Sequence, residues 1–280
     1  MRSTISRLLK EYEEAIQMDS YNDEINIIED FQLIDDSEVL LLPQHSESAE
    51  RIYQLLHDEA KWSKWINSSA KNKLPPDFYC DTKRLMMEVM RVDDHESISA
   101  KGKVVNPTRV RESQMMNELK KSGILDILPN AKPIVITQTD LPTEQDHNYT
   151  QYRDGFKRTV RKHIDKIGNY KRNHPGYEVI FFVFDESSAY FEVAGAPTKT
   201  QVGKAHLGIP HLWYVDENFT EIFIGSDIDY LIWYTPYKHC EIYDNEGQEV
   251  HLPVAIVIDV KNYKEEQIHY DISRMIGVEV

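Results

Sequence analysis

Two aspartates and a lysine lie at the ends of apolar segments near the C-terminus. Asp229 precedes one apolar run, and a second run, residues 254–263, contains Asp259 and Lys261 separated by one valine. Side chains alternate between faces along a strand, so Asp259 and Lys261 are predicted to share a face. Carboxylates on neighbouring strands supply the oxygen ligands that Mg²⁺ or Mn²⁺ prefers, and a nearby lysine can orient an attacking water. The pattern therefore predicts metal-dependent hydrolysis of a phosphodiester.

These residues resemble the PD-(D/E)XK nuclease superfamily, in which an acidic strand residue precedes a strand ending in acid-Val-Lys-Asn, as at 259–262 here. The resemblance covers roughly 40 of the 280 residues, and the motif is short. It implies a restriction-endonuclease-like core with Asp229 as first metal ligand, Asp259 as second and Lys261 as catalytic lysine. Aspartate stands at 259 where glutamate is commoner in the family. The alternative is that Asp259 and Lys261 form only the solvated end of a strand.

A second acidic pair lies earlier in the chain. Asp77 follows a proline, and Glu88 lies eleven residues later in an apolar segment that is predicted to be a strand buried on both faces. A predicted helix at 46–66 precedes the pair, and a helix and the strand 177–184 follow it. The same superfamily shows this order of helix, two strands, helix and strand, so the resemblance offers Asp77 and Glu88 as a second candidate site.

The second pair lacks the lysine of the motif. Met90 stands at its position and cannot carry charge, so Lys83 or Arg91 would have to reach in from elsewhere. Asp185, at the end of a central strand, is a further candidate ligand because open α/β sheets bind ligands at the carboxyl ends of strands. The alternative is that Glu88 is a buried acid paired with an arginine.

Charge is distributed unevenly, although the formal net charge is −15. Residues 11–59 are strongly acidic, with Arg51 as their one Lys or Arg, whereas 153–172 are basic. Apolar residues every three to four positions predict an amphipathic helix over 149–172. Its basic face is predicted to bind a nucleic-acid backbone through Lys157, Arg158, Arg161, Lys162 and Lys166. The alternatives are a solvated face or a surface on which the acidic segment docks within the same molecule.

The arrangement of apolar segments predicts an α/β protein with a mixed central sheet flanked by helices. Residues 1–45 are predicted to be an acidic N-terminal extension, beginning with a helix at 6–18. Residues 46–280 are predicted to form a single α/β domain, in which a helix at 108–122 ends at Gly123 and a strand follows at 134–137. The C-terminal part of this domain, 209–280, is predicted to be rich in β-structure, with strands at 211–215 and 220–224 among others.

Several classes of protein are excluded by what the sequence lacks. No apolar run approaches the length of about 20 residues that spans a membrane, and no secretory signal precedes the chain, so a cytoplasmic location is expected. Two distant cysteines argue against disulfides and structural zinc. The sequence contains no phosphate-binding loop, serine-hydrolase elbow or kinase signature.

Two main functions remain. The first is a nuclease that uses Mg²⁺ or Mn²⁺ on DNA or RNA, of the kind found in bacterial defence or mobile elements. The second is a non-catalytic interaction protein that binds a protein partner, or another copy of itself, through its uneven charge. A structural subunit of a larger complex is a third, weaker option.

Overall fold

A computed structural model describes residues 24–69, 74–95, 97–98, 103–127, 148–193, 206–238, 242–243 and 249–278. The α-helices are α1 Glu24–Phe31, α2 Glu47–His57, α3 Glu59–Trp62, α4 Pro107–Lys121, α5 Ile124–Ile127, α6 Tyr149–Ile164, α7 Ile167–Asn173 and α8 Glu217–Thr220. Short 3-10 turns cover Asp36–Glu38 and Ile272–Arg274. The predicted helix at 6–18 and a predicted strand at 134–137 lie outside the described residues.

The strands of the main sheet are β1 Val39–Leu42, β2 Ile66–Asn67, β3 Phe78–Cys80, β4 Leu85–Val92, β7 Glu178–Asp185, β11 Tyr230–Tyr234 and β14 Ala255–Asp259. The shorter strands are β5 Ser97–Ile98, β6 Val104–Val105, β8 Tyr190–Glu192, β9 His206–Leu207, β10 Ile209–Pro210, β12 Ile242–Tyr243, β13 Glu249–Val250 and β15 Met275–Gly277.

Seven strands form one mixed sheet in the order β1-β14-β11-β7-β4-β3-β2. The three central strands β4, β7 and β11 run parallel to one another. Strand β14 is antiparallel to β11, and the edge strand β1 is parallel to β14. On the other side, β3 and β2 continue the sheet in antiparallel pairs. A separate three-stranded antiparallel sheet has the order β10-β8-β15. The predicted α/β class with a mixed sheet flanked by helices is confirmed.

The sheet is covered by apolar side chains on both faces. On one face, α6 packs Tyr152, Phe156 and Val160 onto the sheet, and Phe156 stacks on Trp233 with ring centroids 4.3 Å apart. On the other face, α1 and α2 bury their apolar residues, and Phe31 meets Phe182 edge to face at 5.3 Å. Strands β4 and β7 are buried on both sides, as their uninterrupted apolar sequences predict.

Some predicted elements differ from those in the structure. The predicted helix at 46–66 is divided, because Asp58 ends α2 and accepts a hydrogen bond from the Lys61 amide to begin α3. Predicted strands at 211–215 and 220–224 are wrong. Asp216 instead accepts a hydrogen bond from the Asn218 amide at 2.8 Å and begins the helical turn α8, so this apolar region is buried without being extended.

The acidic N-terminal segment contributes to the domain over its described part. Helix α1 places Ile27, Ile28 and Phe31 in the core, and β1 is the edge strand of the main sheet. Glu29, Asp35 and Asp36 are exposed in this segment, whereas Glu24 and Asp30 are half-buried. Among the described residues, no helix is both long enough and apolar enough to cross a membrane.

Candidate functional site

The structure places Asp229 and Asp259 on opposite faces of the main sheet. Tyr230 pairs directly with Asp259 across the antiparallel strands β11 and β14, so these two side chains share a face. Asp229 immediately precedes Tyr230, and alternation along the strand turns its side chain to the other face. The two carboxylates are adjacent in the ladder but are not directed at a common ion.

Each of these aspartates is held by hydrogen bonds that stabilise the fold. Asp259 accepts hydrogen bonds from the Ser48 hydroxyl, in the first turn of α2, and from the Asn262 amide side chain at 2.9 Å. Burial would raise the pKa of Asp259, but the hydrogen bonds from Asn262 and Ser48 hold it below 3.8. Asp259 therefore fastens the end of β14 to the start of α2.

Lys261 reaches Asp229 and does not stand beside Asp259. The strand ends at Asp259, and the following turn releases Lys261 from the alternation, so its ammonium group donates to Asp229 Oδ1. This hydrogen bond raises the pKa of Lys261. The second oxygen of Asp229 accepts the Val179 amide at 2.7 Å and so caps the start of β7. The proposed roles of these three residues stay predictions, and their contacts have a structural explanation.

The second acidic pair is brought together. Phe78 pairs with Met87 between the antiparallel strands β3 and β4, which places Asp77 beside Glu88 on the face covered by α6. Asp77 Oδ2 accepts the Val89 amide at 2.8 Å. Glu88 is only 6% exposed. We call Asp77 and Glu88 the carboxylate pair.

The electrostatics of the carboxylate pair are unfavourable to two negative charges. Burial, followed by the charge of Glu88, raises the pKa of Asp77 from 3.8 to about 7. The Val89 amide and the charge of Lys166 oppose this increase, and the charge of Glu24 adds to it. Two carboxylates in a buried position thus disfavour simultaneous ionisation near neutral pH.

Three further residues complete the site, and the sequence analysis identified only one of them, Lys166. His163, at the end of α6, lies with Nδ1 2.7 Å from Glu88 Oε1. The Tyr170 hydroxyl in α7 lies 3.4 Å from the same nitrogen, and burial and the charge of Glu88 raise the pKa of Tyr170. Because an ionised carboxylate can only accept hydrogen bonds, an ionised Glu88 requires Nδ1 of His163 to be the donor in this contact.

The helix break between α6 and α7 gives these residues their positions. The Lys166 amide donates to the His163 carbonyl at 3.0 Å, a tighter turn than the α-helical one. His163, Lys166 and Tyr170 are spaced three and four residues apart, which is the spacing of neighbours on one face of a helix. That spacing was the available sequence signal, but the many basic residues of the same segment indicate a charged surface more strongly.

One carboxylate oxygen of the pair is available to a divalent cation. Glu88 Oε2 is buried and has no hydrogen-bond partner within the described residues. A cation beside it would satisfy this oxygen and relieve the repulsion from Asp77. No group of three or more His, Cys, Asp or Glu side chains in the described part of the chain is arranged to hold a metal. Mg²⁺ needs only one or two protein carboxylates and keeps several waters, so the pair fits this ion.

Asp185 lies in a different, fully buried network. Asp185 pairs with Val92 in the sheet. Val92 lies four residues along β4 from Glu88, a separation of about 13 Å along the strand. Its carboxylate accepts hydrogen bonds from Tyr152 at 2.5 Å and Trp233 at 2.9 Å and lies 3.6 Å from the ammonium group of Lys238. The structure does not bring Asp185 to the carboxylate pair.

Neither substitute for the missing lysine is placed at the pair. Arg91 lies on the other face of β4 and forms a bidentate ion pair with Glu186, at 2.9 and 2.6 Å. Lys83 lies in the turn between β3 and β4, at the far end of the hairpin from Asp77. The positive charge that acts on Asp77 is that of Lys166, at a position that sequence spacing along the strand could not indicate.

A cleft of roughly 530 Å³ is lined in part by His163, which contacts Glu88, whereas Glu88 and Asp77 themselves lie behind its lining. Its lining consists of Glu24, Ile27, Val89, Met90, Arg91, Val104, Arg158, Thr159, Lys162 and His163. Arg158 and Lys162 are exposed on the α6 wall, and Lys166 follows one turn later. We call Arg158, Lys162 and Lys166 the cationic row.

The other predicted nucleic-acid-binding residues lie elsewhere on α6. Lys157 forms an ion pair with Glu221 and does not line the cleft. Arg161 is exposed and also lies outside the cleft lining. The structure therefore places two of the five predicted cations, Arg158 and Lys162, in the cleft lining, and Lys166 lies one turn beyond them.

In comparisons with known proteins, the chain matches no family model, no curated protein and no solved structure.

Proposed function

We propose that the protein is a nuclease that hydrolyses phosphodiester bonds with a divalent cation, and that its site is the carboxylate pair Asp77 and Glu88. The observation that carries the proposal is Glu88 Oε2, which is buried next to Asp77 and has no hydrogen-bond partner among the described residues. His163 connects Glu88 to a cleft lined by cations. Perturbed carboxylates in a cleft are typical of functional sites.

The topology around the pair supports a restriction-endonuclease-like core. Helix α2 precedes the β3–β4 hairpin, α6 follows it, and β7 returns parallel to β4. This is the order of helix, two strands, helix and strand that the sequence resemblance implies. The additional strands β11, β14 and β1 extend the sheet beyond β7.

Each residue of the site has a role in the proposed reaction. Mg²⁺ or Mn²⁺, held by Asp77 and Glu88, would supply Lewis-acid polarisation of a phosphoryl oxygen. His163 holds Glu88 in place through its Nδ1–H group, and Lys166 offers a positive charge to the phosphate. Arg158 and Lys162 bind the phosphates that flank the reacting one.

A cleavage assay tests the proposal. Plasmid and single-stranded substrates are incubated with Mg²⁺ or Mn²⁺ and wild type, Glu88→Gln, Asp77→Asn or the control Asp259→Asn. The first two variants are expected to lose on the order of 100-fold or more in rate, while the control keeps its activity. Loss of activity in Asp259→Asn with normal rates in the other two would refute this site and favour the C-terminal one.

One observation favours a non-catalytic interaction protein instead. Met90 shares the α6 face of β4 with Glu88 and is 4% exposed, so the strand itself provides no cation at the position of the motif lysine. If Lys166 does not replace it, the fold would bind without cleaving. Intact substrates in every metal, together with retained binding, would support this second function.

A further inference from the structure

The two walls of the cleft differ in chemistry. One wall is α6, which contributes Arg158 and Lys162. The facing surfaces are mainly apolar, with Ile27, Met90 and Val104, and Val104 is 44% exposed. The acidic Glu24, at the start of α1, also lies on that side. Arg91 of β4 also lines the cleft but forms an ion pair with Glu186, so the exposed cations of the cleft lie along the α6 wall.

The spacing of the cationic row suits a single backbone. Residues four apart on a helix are separated by about 6 Å along its axis, which is close to the distance between successive phosphates of one strand. The row leads from Arg158 through Lys162 to Lys166, and Lys166 lies close enough to Asp77 to lower its pKa. A strand following the row would be led to the carboxylate pair.

A neighbouring pair of cations on the same helix has other partners. Arg153 pairs with Asp154 at 2.8 Å, and Lys157 pairs with Glu221. These two residues have the same i, i+4 spacing as Arg158 and Lys162 but lie away from the cleft. They provide a matched control for the number of charges removed.

We propose that the cleft binds a single strand of nucleic acid, with its phosphates along the cationic row and its sugars and bases against the apolar wall. The inference rests on the proposed function and specifies its substrate. A duplex presents two charged backbones and keeps its bases stacked inside, so one backbone would face apolar side chains and Glu24 while no base could reach Met90 or Val104. A cleft of roughly 530 Å³ also has the size of a small-molecule site, which suits one or two unstacked nucleotides.

Binding without cleavage tests the inference. The full chain is titrated in EDTA with a fluorescent 20-mer as single-stranded DNA, as single-stranded RNA and as a DNA duplex of the same sequence, and anisotropy is read at several salt concentrations. A single strand, DNA or RNA, is expected to bind on the order of tenfold more tightly than the duplex. Equal or tighter binding of the duplex would overturn the inference.

Variants locate the binding surface. Arg158→Ala/Lys162→Ala is expected to weaken single-strand binding on the order of tenfold at low salt and to reduce the slope of log affinity against log salt by about 1.4. Arg153→Ala/Lys157→Ala should bind as the wild type does. Val104→Asp, at an exposed position, should also weaken binding. Equal losses in both double variants would refute the cleft as the binding surface.

Cleavage is measured separately with Mg²⁺ and the wild type. Single-strand binding that depends on Arg158 and Lys162 without cleavage in any metal would refute the proposed nuclease function and support the binding inference. Cleavage confined to duplex would support the proposed nuclease function and refute the inference that the cleft binds a single strand.

Discussion

Replacement of Asp77 by asparagine is expected to stabilise the metal-free protein above neutral pH. The pKa of Asp77 is about 7 in the fold and about 3.8 in the unfolded chain, where burial and the charge of Glu88 are absent. The fold therefore binds more protons than the unfolded chain between these values. The contribution of protonated Asp77 to stability is fully present below pH 3.8 and is lost as the pH rises through about 7. Asparagine does not ionise, so the variant avoids this loss of stability, and its side-chain oxygen can still accept a hydrogen bond from the Val89 amide.

The magnitude follows from the two pKa values. At 1.36 kcal/mol per pKa unit, ionised Asp77 destabilises the fold by about 4 kcal/mol at pH 8, as an upper limit. At pH 5 the same calculation gives about 2 kcal/mol, because the wild-type side chain is still protonated in the fold. The free energy of unfolding of Asp77→Asn minus that of wild type should therefore increase by about 2 to 3 kcal/mol between pH 5 and pH 8.

Urea unfolding in EDTA at pH 5, 6, 7 and 8 measures this difference. Asp154→Asn is the control, because Asp154 is exposed on α6 and pairs with Arg153. The control should show little change with pH relative to wild type. An Asp77→Asn variant that is no more stable than wild type at pH 8, or whose gain is the same at pH 5 and pH 8, would refute the account of the carboxylate pair.

Four further perturbations test the buried network, the C-terminal aspartate and the N-terminal segment. Lys238→Met should destabilise the fold by about 3 to 5 kcal/mol in urea unfolding, because it leaves buried Asp185 without its cation, and a loss under 1 kcal/mol would contradict this. Asp259→Asn should lower the free energy of unfolding by about 1 kcal/mol while leaving nucleic-acid affinity unchanged, and changed affinity would give Asp259 a binding role. Deletion of 1–23 should raise single-strand affinity at low salt if acidic side chains occupy the cleft, and unchanged anisotropy would exclude this. A longer deletion that removed Phe31 should unfold the protein, because its ring is fully buried in the core.

The main features of the sheet were predictable because its strands carry strong local signals. Strands β4 and β7 are largely apolar, and such runs are typically buried on both faces. The positive φ of Gly123 after α4 agrees with its predicted role at the end of that helix. Local pattern failed at residues 211–224, where aromatic residues are buried in turns, because burial alone does not determine whether a segment is extended.

The candidate site was less predictable than the fold. The pairing of Asp77 with Glu88 follows from the register of a hairpin, and the residues of that hairpin were recognised in the sequence. The opposite directions of Asp229 and Asp259 also depend on register, which the sequence of two separate strands does not specify. His163 and Tyr170 became part of the site only through the packing of α6 and α7 on β4.

The edge position of β1 has a consequence for how the chain folds during synthesis. Among the described strands, β1 pairs only with β14, in which Ala255 is the partner of Val39. Contacts between distant parts of a chain form slowly because a long loop must close first. The whole segment from β1 to β14 must therefore leave the ribosome before β1 gains its partner. Until then the apolar residues of the N-terminal segment remain without their final strand neighbour, and a truncated chain that stops before residue 255 should be prone to aggregation.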